Sequence, residues 1–393
     1  MAIFYQNATI NRMTFQNLKS INFVVKSVLF KKSSWLLSGL VWLLIILPAQ
    51  AIELKVAIEK DVRKLKVGSS TVAIVKDDLG RQIGQLTPMS PLAVKAKGNK
   101  ISLANLAGNT ELIIEPKDNG YVWIGDRWYR GKTRLIREGK TITAINHVDL
   151  EDYLYSVVGA EAVSSWPIEA LKAQAVAARS YALYKRNSEP NDIYDVDTTV
   201  GTQVYKGLDT EYTTTHEAVD STLGQIMTYN NQVILAAFHS SSGGHTENVE
   251  DVWTSPLPYL RAVVDYDHQA PVFEWQQIFP VSRIRTLVAG VGNIRGLQPL
   301  KMTPRGRVVT MKVTGDRGTA TLSGKKIRKA LDLRSTLFRM STDGKNVQVR
   351  GRGFGHGLGL SQWGAYYLAQ QGVDYQRILA HYYQNASLTK FEE

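Results

Sequence analysis

Three groups of polar residues in this 393-residue chain carry side chains suited to chemistry. The first is a single acid, Glu161, set among Val157, Val158, Ala160, Ala162 and Val163. The second is the polar run from His239 through Ser240, Ser241, Ser242, Gly243, Gly244, His245 and Thr246 to Glu247. The third is a glycine-laced run from Gly351 to Ala365 that holds His356, Ser361 and Gln362. A carboxyl group among apolar side chains resists ionisation, and one at a helix C-terminus also meets the negative end of the backbone dipole. Both effects raise its pKa, and a carboxylic acid still protonated near neutral pH is what a general acid needs. The competing reading of the same spacing is a solvated or ion-paired residue at a helix end.

Several reaction classes lack their signatures. There is no G-x-S-x-G elbow for a serine hydrolase and no H-E-x-x-H for a zinc peptidase. The glycine run contains neither G-x-G-x-x-G nor G-K-[ST], so a nucleotide-phosphate site is not supported; its alternating glycines instead allow close backbone approach. His356 is then either a ligand-facing group or a structural histidine in a packed turn. His239 and His245, six apart with Glu247 near by, are the candidate metal pair, a donor set without cysteine. A two-carboxylate glycosidase would draw its second acid from Asp195, Asp197, Glu247 or Asp251, none of which stands out. A reaction needing one carboxylate fits best.

The elements that must position these groups follow from local signals. Asp149 is a helix cap, with Glu151 and Asp152 in the first turn, and that helix should end near Gly159. Ser164-Ser165-Trp166-Pro167 is a turn, after which Ile168, Leu171, Ala175, Ala178 and Ala182 recur at helical spacing. Thr213 to Leu223 reads as helical. Gln225–Tyr229, Asn230-Asn231 and Gln232–Phe238 read as a hairpin, and 307–313 and 346–350 as strands. From Ile52 to about Asn146 short strands are punctuated by glycines. Tyr121, Trp123, Trp128 and Tyr129 lie there as core aromatics or as a platform for sugars. The fold class expected is α+β: a mixed, mainly antiparallel sheet with packed helices, plus an N-terminal β region.

The chain has a formal net charge of +12 and no cysteine, which excludes disulfides and cysteine-based metal sites or nucleophiles. Residues 1–51 contain five basic residues and no acid; Trp35 to Leu47 is an uncharged, mostly apolar run followed by Ala49-Gln50-Ala51. These are the marks of a secretory signal peptide, with an uncleaved anchor over 35–47 as the alternative. Without it, 42 basic and 35 acidic residues leave +7, a charge suited to an anionic cell-wall or membrane surface. No nucleic-acid-binding signature is present.

At these motifs the chain resembles the SpoIID/LytB family of cell-wall proteins, the stage II sporulation protein D and amidase-enhancer group. The resemblance is carried by Asp152-Tyr153-Leu154, Glu161, Ala170 to Ala175 with Ala178-Arg179-Ser180-Tyr181, and Gln203-Val204-Tyr205-Lys206-Gly207. His239 to Thr246, Tyr259-Leu260, Gly353 to Ala365 and Ile378-Leu379 with His381-Tyr382-Tyr383 complete it. It runs in order from about Gly120 to the C-terminus. Beyond the leader read over 1–51 and the β-rich region over 52–120, it implies a catalytic domain over 121–393. It further implies an exported lytic transglycosylase, in the periplasm or cell wall, that cuts peptidoglycan glycan strands to 1,6-anhydro-muramic acid ends. Glu161 would be the catalytic acid and base, with Lys172, Gln174, Arg179, Gln203, Tyr205, Ser240, His356, Ser361 and Gln362 positioning substrate. No cofactor is required. The zinc that some members hold with cysteine and histidine near the Ser-Gly-Gly loop would here be lost or rebuilt from His239 and His245. The family's enhancer members imply the alternative: a non-catalytic glycan-binding partner of a cell-wall amidase.

Overall fold

The computed structural model describes residues 52–391 apart from 105, 108, 109, 200 and 254, so the expected leader lies outside the described residues. The fold is mixed α+β, with eight helices and mainly antiparallel strands among those residues, as expected. A seven-stranded sheet runs in the order Val196–Asp197, Glu53–Val62, Thr141–Asp149, Lys132–Glu138, Glu111–Pro116, Ala73–Asp77 and Gln82–Leu86. A six-stranded sheet is built from Arg127–Tyr129, Val122–Ile124, Lys64–Ser69, Leu92–Lys97, Lys100–Leu103 and Leu106–Ala107. Alternate apolar residues of both, such as Val67, Val75, Val94 and Ile114, meet in one core. Tyr129 is buried there against Tyr205, while Trp123 and Trp128 pack edge to face at 5.2 Å.

Among the described helices, six matter below: α1 (Leu150–Glu161), α2 (Ile168–Ser188), α3 (Thr213–Asp220), α4 (Gly324–Leu331), α5 (Gln362–Gln370) and α6 (Tyr375–Tyr382). The Asp149 carboxylate caps α1 by accepting from the backbone N–H of Glu151 at 2.8 Å and of Asp152 at 3.4 Å. Pro167 precedes the first residue of α2. Helix α2 is alanine-rich because it is buried on two sides. Leu171, Ala175, Ala178 and Ala182 face the first core, and Ala173, Val176 and Ala177 face a second core with Leu358, Leu360, Ile378 and Leu379. Small side chains let backbone on both sides come close.

A third core is formed within residues 275–349 by two three-stranded antiparallel sheets and α4, around Val313, Leu322, Ile327, Val347 and Val349. The expected hairpin is real only at its turn. Asn230 and Asn231 have φ of 50° and 60°, as a primed turn requires, and Thr228 and Tyr229 pair with Val233 and Gln232. The chain then leaves the hairpin. Phe238 and His239 instead pair in parallel with Leu360 and Ser361, which carries the histidine run to the glycine run. A pairing 122 positions away competes with the local one, and the local spacing gives no sign of it.

Candidate active site

Glu161 is the last residue of α1, two positions beyond the expected end. Its carboxylate accepts a 2.7 Å hydrogen bond from the Val204 N–H and another from the Gln362 side chain. Burial raises its pKa; the Val204 amide, Gln362 and the Lys206 charge pull the other way without cancelling the rise.

The segment around Val204 is held rigidly. The Gln203 side chain accepts from the Tyr153 hydroxyl at 3.1 Å and donates to the Ala178 carbonyl at 3.1 Å. Tyr205 stacks beside Tyr129 and Tyr153 and donates to Asn146 at 2.9 Å. Both side chains are buried, so they fix the backbone that meets Glu161 and do not face a ligand. Gln362 opens α5 and also donates to the Gln174 side-chain oxygen at 3.3 Å, tying α5 to α2 beneath the acid.

Glu161 lies in the wall of a cavity of about 930 Å³. His239, Ser240, His356 and Gln362 share that lining, so the structure brings together five of the residues singled out in the sequence. The Leu358 backbone orients both histidines. Its carbonyl accepts from His239 Nδ1 at 3.1 Å, and its N–H donates to His356 Nδ1 at 3.0 Å. The other His356 ring nitrogen donates to the Phe238 carbonyl, while His239 Nε2 is buried with no partner. Burial, reinforced by Arg307, pushes His356 down to about 3 and His239 well below its ordinary value. Both rings are therefore neutral near pH 7 and add no positive charge that would ionise Glu161. Gly355 has φ +120°, and a Cβ there would lie 2.6 Å from the His239 Cβ, so only glycine lets the two histidines approach.

The Ser-Gly-Gly loop behind His239 is fastened by acids. Asp267 accepts from the N–H groups of Gly243 at 2.8 Å and Gly244 at 2.9 Å and from the Ser241 hydroxyl; Asp265 accepts from Ser242, Ser361 and Tyr382. Burial, with the charge of Asp267, raises the Asp265 pKa. Arg307 donates to the carbonyls of Ser242 at 2.9 Å and Gly355 at 3.3 Å and pairs with buried Glu247 at 3.4 Å. Those contacts join the third core to both loops.

Other expected positioning residues lie elsewhere. Arg179 is fully buried, donating to Glu151 at 2.8 and 2.6 Å and to the Gln225 carbonyl at 3.0 Å. Lys172 pairs with Glu169 at 2.9 Å beside the Tyr375 ring. Ser361 caps α5 and is buried. These three, with Gln174, Gln203 and Tyr205, are frame and not cavity wall, because each polar group is already spent on an internal partner or sealed from solvent. His245 is exposed and outside the cavity lining, so His239 and His245 do not form a pair. No group of three or more His, Cys, Asp or Glu side chains that could hold a metal ion occurs among the described residues. Of the acids considered as a second carboxylate, Asp197 pairs with Lys60 at 2.7 Å and Glu247 with Arg307; none lines the cavity. Sequence reasoning missed Tyr181, Thr202 and Trp253, and it missed the residues of α4 and its following turn, among them Asp332. Tyr181 stood inside the Ala178–Tyr181 motif; its hydroxyl donates to the Gly201 carbonyl at 3.3 Å.

Fold and site together define an α+β protein with a half-buried carboxylic acid that shares a cavity lining with two neutral histidines. Comparisons with known proteins agree on its kin. A family model described as stage II sporulation protein matches residues 138–229, and one described as a domain of unknown function (DUF8618) matches residues 265–359. The chain is 35% identical over 272 residues to the stage II sporulation protein D of Bacillus subtilis (strain 168), covering 63% of this chain and 76% of that protein. It is 31% identical over 288 residues to an uncharacterized protein of Brachyspira hyodysenteriae, covering 71% and 77%. It is 29% identical over 293 residues to the amidase enhancer of Bacillus subtilis, covering 61% and 40%. The chain belongs to the SpoIID/LytB family.

Proposed function

We propose that this protein is an exported peptidoglycan lytic transglycosylase in which Glu161 is both acid and base. The observation that carries this reading is Glu161 itself: a carboxyl held toward its protonated form by burial, in the wall of a cavity wide enough for sugar rings. Protonated Glu161 donates to the glycosidic oxygen as the bond from the muramic anomeric carbon breaks. The resulting carboxylate then accepts the proton of the muramic C6 hydroxyl as that oxygen bonds to the same carbon. One C–O bond is exchanged for another, no water is consumed, and a 1,6-anhydro end results. The nucleophile belongs to the substrate, so one carboxylate suffices. The Val204 N–H and the Gln362 amide steady the transient anion. Ser240, in the same cavity lining, offers a hydrogen bond to sugar hydroxyls.

The test is digestion of purified, peptide-free glycan strands by the mature protein, with products read by mass spectrometry. Anhydro-ended fragments are expected, falling by about 10²–10⁴-fold in Glu161→Gln. Products unchanged in that variant would end the proposal. The likeness to a protein named amidase enhancer favours one other reading, a glycan-binding partner that speeds an amidase. It predicts binding without products and faster turnover by an added amidase.

A further inference from the structure

The cavity that Glu161 lines is also walled by residues of the 265–359 segment, for which the matching family description gives no function. Lys325, Arg328, Lys329 and Asp332 recur at i, i+3, i+4 and i+7, so they form one stripe along α4 and its cap, and all four line the cavity. Arg334 lies just beyond. The opposite face of α4, Gly324, Ile327 and Leu331, is buried in the third core. The helix is seated by Ser323, which accepts from the Lys326 N–H at 3.1 Å, and by Gly324, where a Cβ would lie 1.9 Å from the Val308 carbonyl oxygen. The cationic stripe is therefore fixed toward the cleft.

Four cations against Asp332 leave this wall strongly positive. Several partly sheltered arginines elsewhere are paired: Arg130 with Glu211, Arg134 with Glu111, Arg261 with Glu250. Among the described residues, no carboxylate lies within ion-pair distance of Lys325, Arg328, Lys329 or Arg334. The Arg328 Nε donates to the Leu333 carbonyl at 3.1 Å, which leaves its terminal nitrogens free. Unpaired cations gathered along one cavity wall create a potential that draws anions.

We propose that α4 and its following turn form a carboxylate-binding wall, with Lys325, Arg328, Lys329 and Arg334 reading acidic groups borne by the glycan that Glu161 acts on. This rests on the proposed function for the kind of polymer, but its test is binding and needs no turnover. Two kinds of carboxylate qualify: the lactyl carboxylates of muramic acid, free when stem peptides are absent, and the acidic residues of the stem peptides. The experiment measures binding of the mature chain carrying Glu161→Gln to three probes: peptide-free strands, peptide-bearing strands, and peptide-free strands with every carboxyl capped as a methylamide. The chain should bind at least one acidic probe about fivefold or more tighter than the capped strands, the scale of two solvent-screened ion pairs. Lys325→Gln/Lys329→Gln, both exposed and so safe for folding, should erase that preference while leaving affinity for capped strands unchanged. Tighter binding of peptide-free strands assigns the lactyl groups, and tighter binding of peptide-bearing strands assigns the stem peptides. Equal affinity for acidic and capped strands, or a preference that survives in the double variant, overturns the proposal. Absence of products from the unmutated chain, with the preference intact in the Glu161→Gln chain, would count against the lytic reading alone.

Discussion

Replacing Arg307 by methionine isolates one joint of the molecule. Arg307 and Glu247 are both almost fully buried, and their pKa values move as burial dictates: the arginine down to about 10, the glutamate up. Glu247 Oε1 accepts from the Thr303 hydroxyl at 2.9 Å, while Oε2 has no partner. Arg307→Met removes the donors to the Ser242 and Gly355 carbonyls, at about 1 kcal/mol each. It also strands a buried carboxylate, and breaking a buried pair from one side costs about 3–5 kcal/mol in all. The assay is urea denaturation of the mature chain followed by tryptophan fluorescence. Arg307→Met/Glu247→Gln should recover much of the loss, since the stranded charge is gone. The pH dependence gives a second readout. The Glu247 pKa is raised in the native state and rises further without Arg307, so its ionised form costs stability above that pKa. The cost disappears as pH falls toward the unfolded value of about 4.3, and the single variant's deficit should narrow toward acid. A loss under about 1 kcal/mol, a deficit that widens toward acid, or a double variant as weak as the single one would refute this account.

Three further outcomes follow from the site. If protonated Glu161 starts the reaction, kcat/KM falls as pH rises through its raised pKa, so the falling limb lies above the ordinary glutamate range; Gln362→Leu removes a donor to the carboxylate and should move that limb to higher pH, a shift that pH-rate profiles would detect or deny. Asp332→Asn should leave anhydro ends as the product, because Asp332 has no step in the proposed mechanism; replacement of those ends by reducing sugars in the wild type, lost in the variant, would make it a hydrolytic partner. Asp267→Ala removes three hydrogen bonds to a carboxylate at the Ser-Gly-Gly loop and should lower stability by roughly 3 kcal/mol or more in the same denaturation assay; a change under about 1 kcal/mol would mean the loop is held from elsewhere.

Where signals are local, the sequence was a good guide. The Asp149 cap and the turn before Pro167 each depend on neighbours within a few residues, and each stands where expected. The hairpin failed past its turn because Phe238 and His239 take a distant parallel partner that no local pattern encodes. The α4 wall escaped notice for the same reason. Lys325, Arg328 and Lys329 read as an ordinary solvated face until the fold sets them in the lining of the same cavity as an acid more than 160 positions earlier.

The motif residues give the sharper lesson. Arg179, Gln203 and Tyr205 have the chemistry of ligand-binding groups, yet each is used inward. A polar side chain can serve a substrate or satisfy a buried partner, and its type alone does not say which. Burial decides, because a buried polar group without a partner is costly, and these three are fully committed to Glu151, Ala178, Tyr153 and Asn146. Their role near the acid is indirect but exacting. Gln203 and Tyr205 set the backbone on either side of Val204, whose N–H is the closest donor to Glu161. Loosening that segment would withdraw the hydrogen bond that receives the anion while leaving the acid buried. Catalytic loss from Tyr205→Phe would therefore arise through a displaced amide, with substrate affinity largely kept, whereas a lost sugar contact would weaken affinity first.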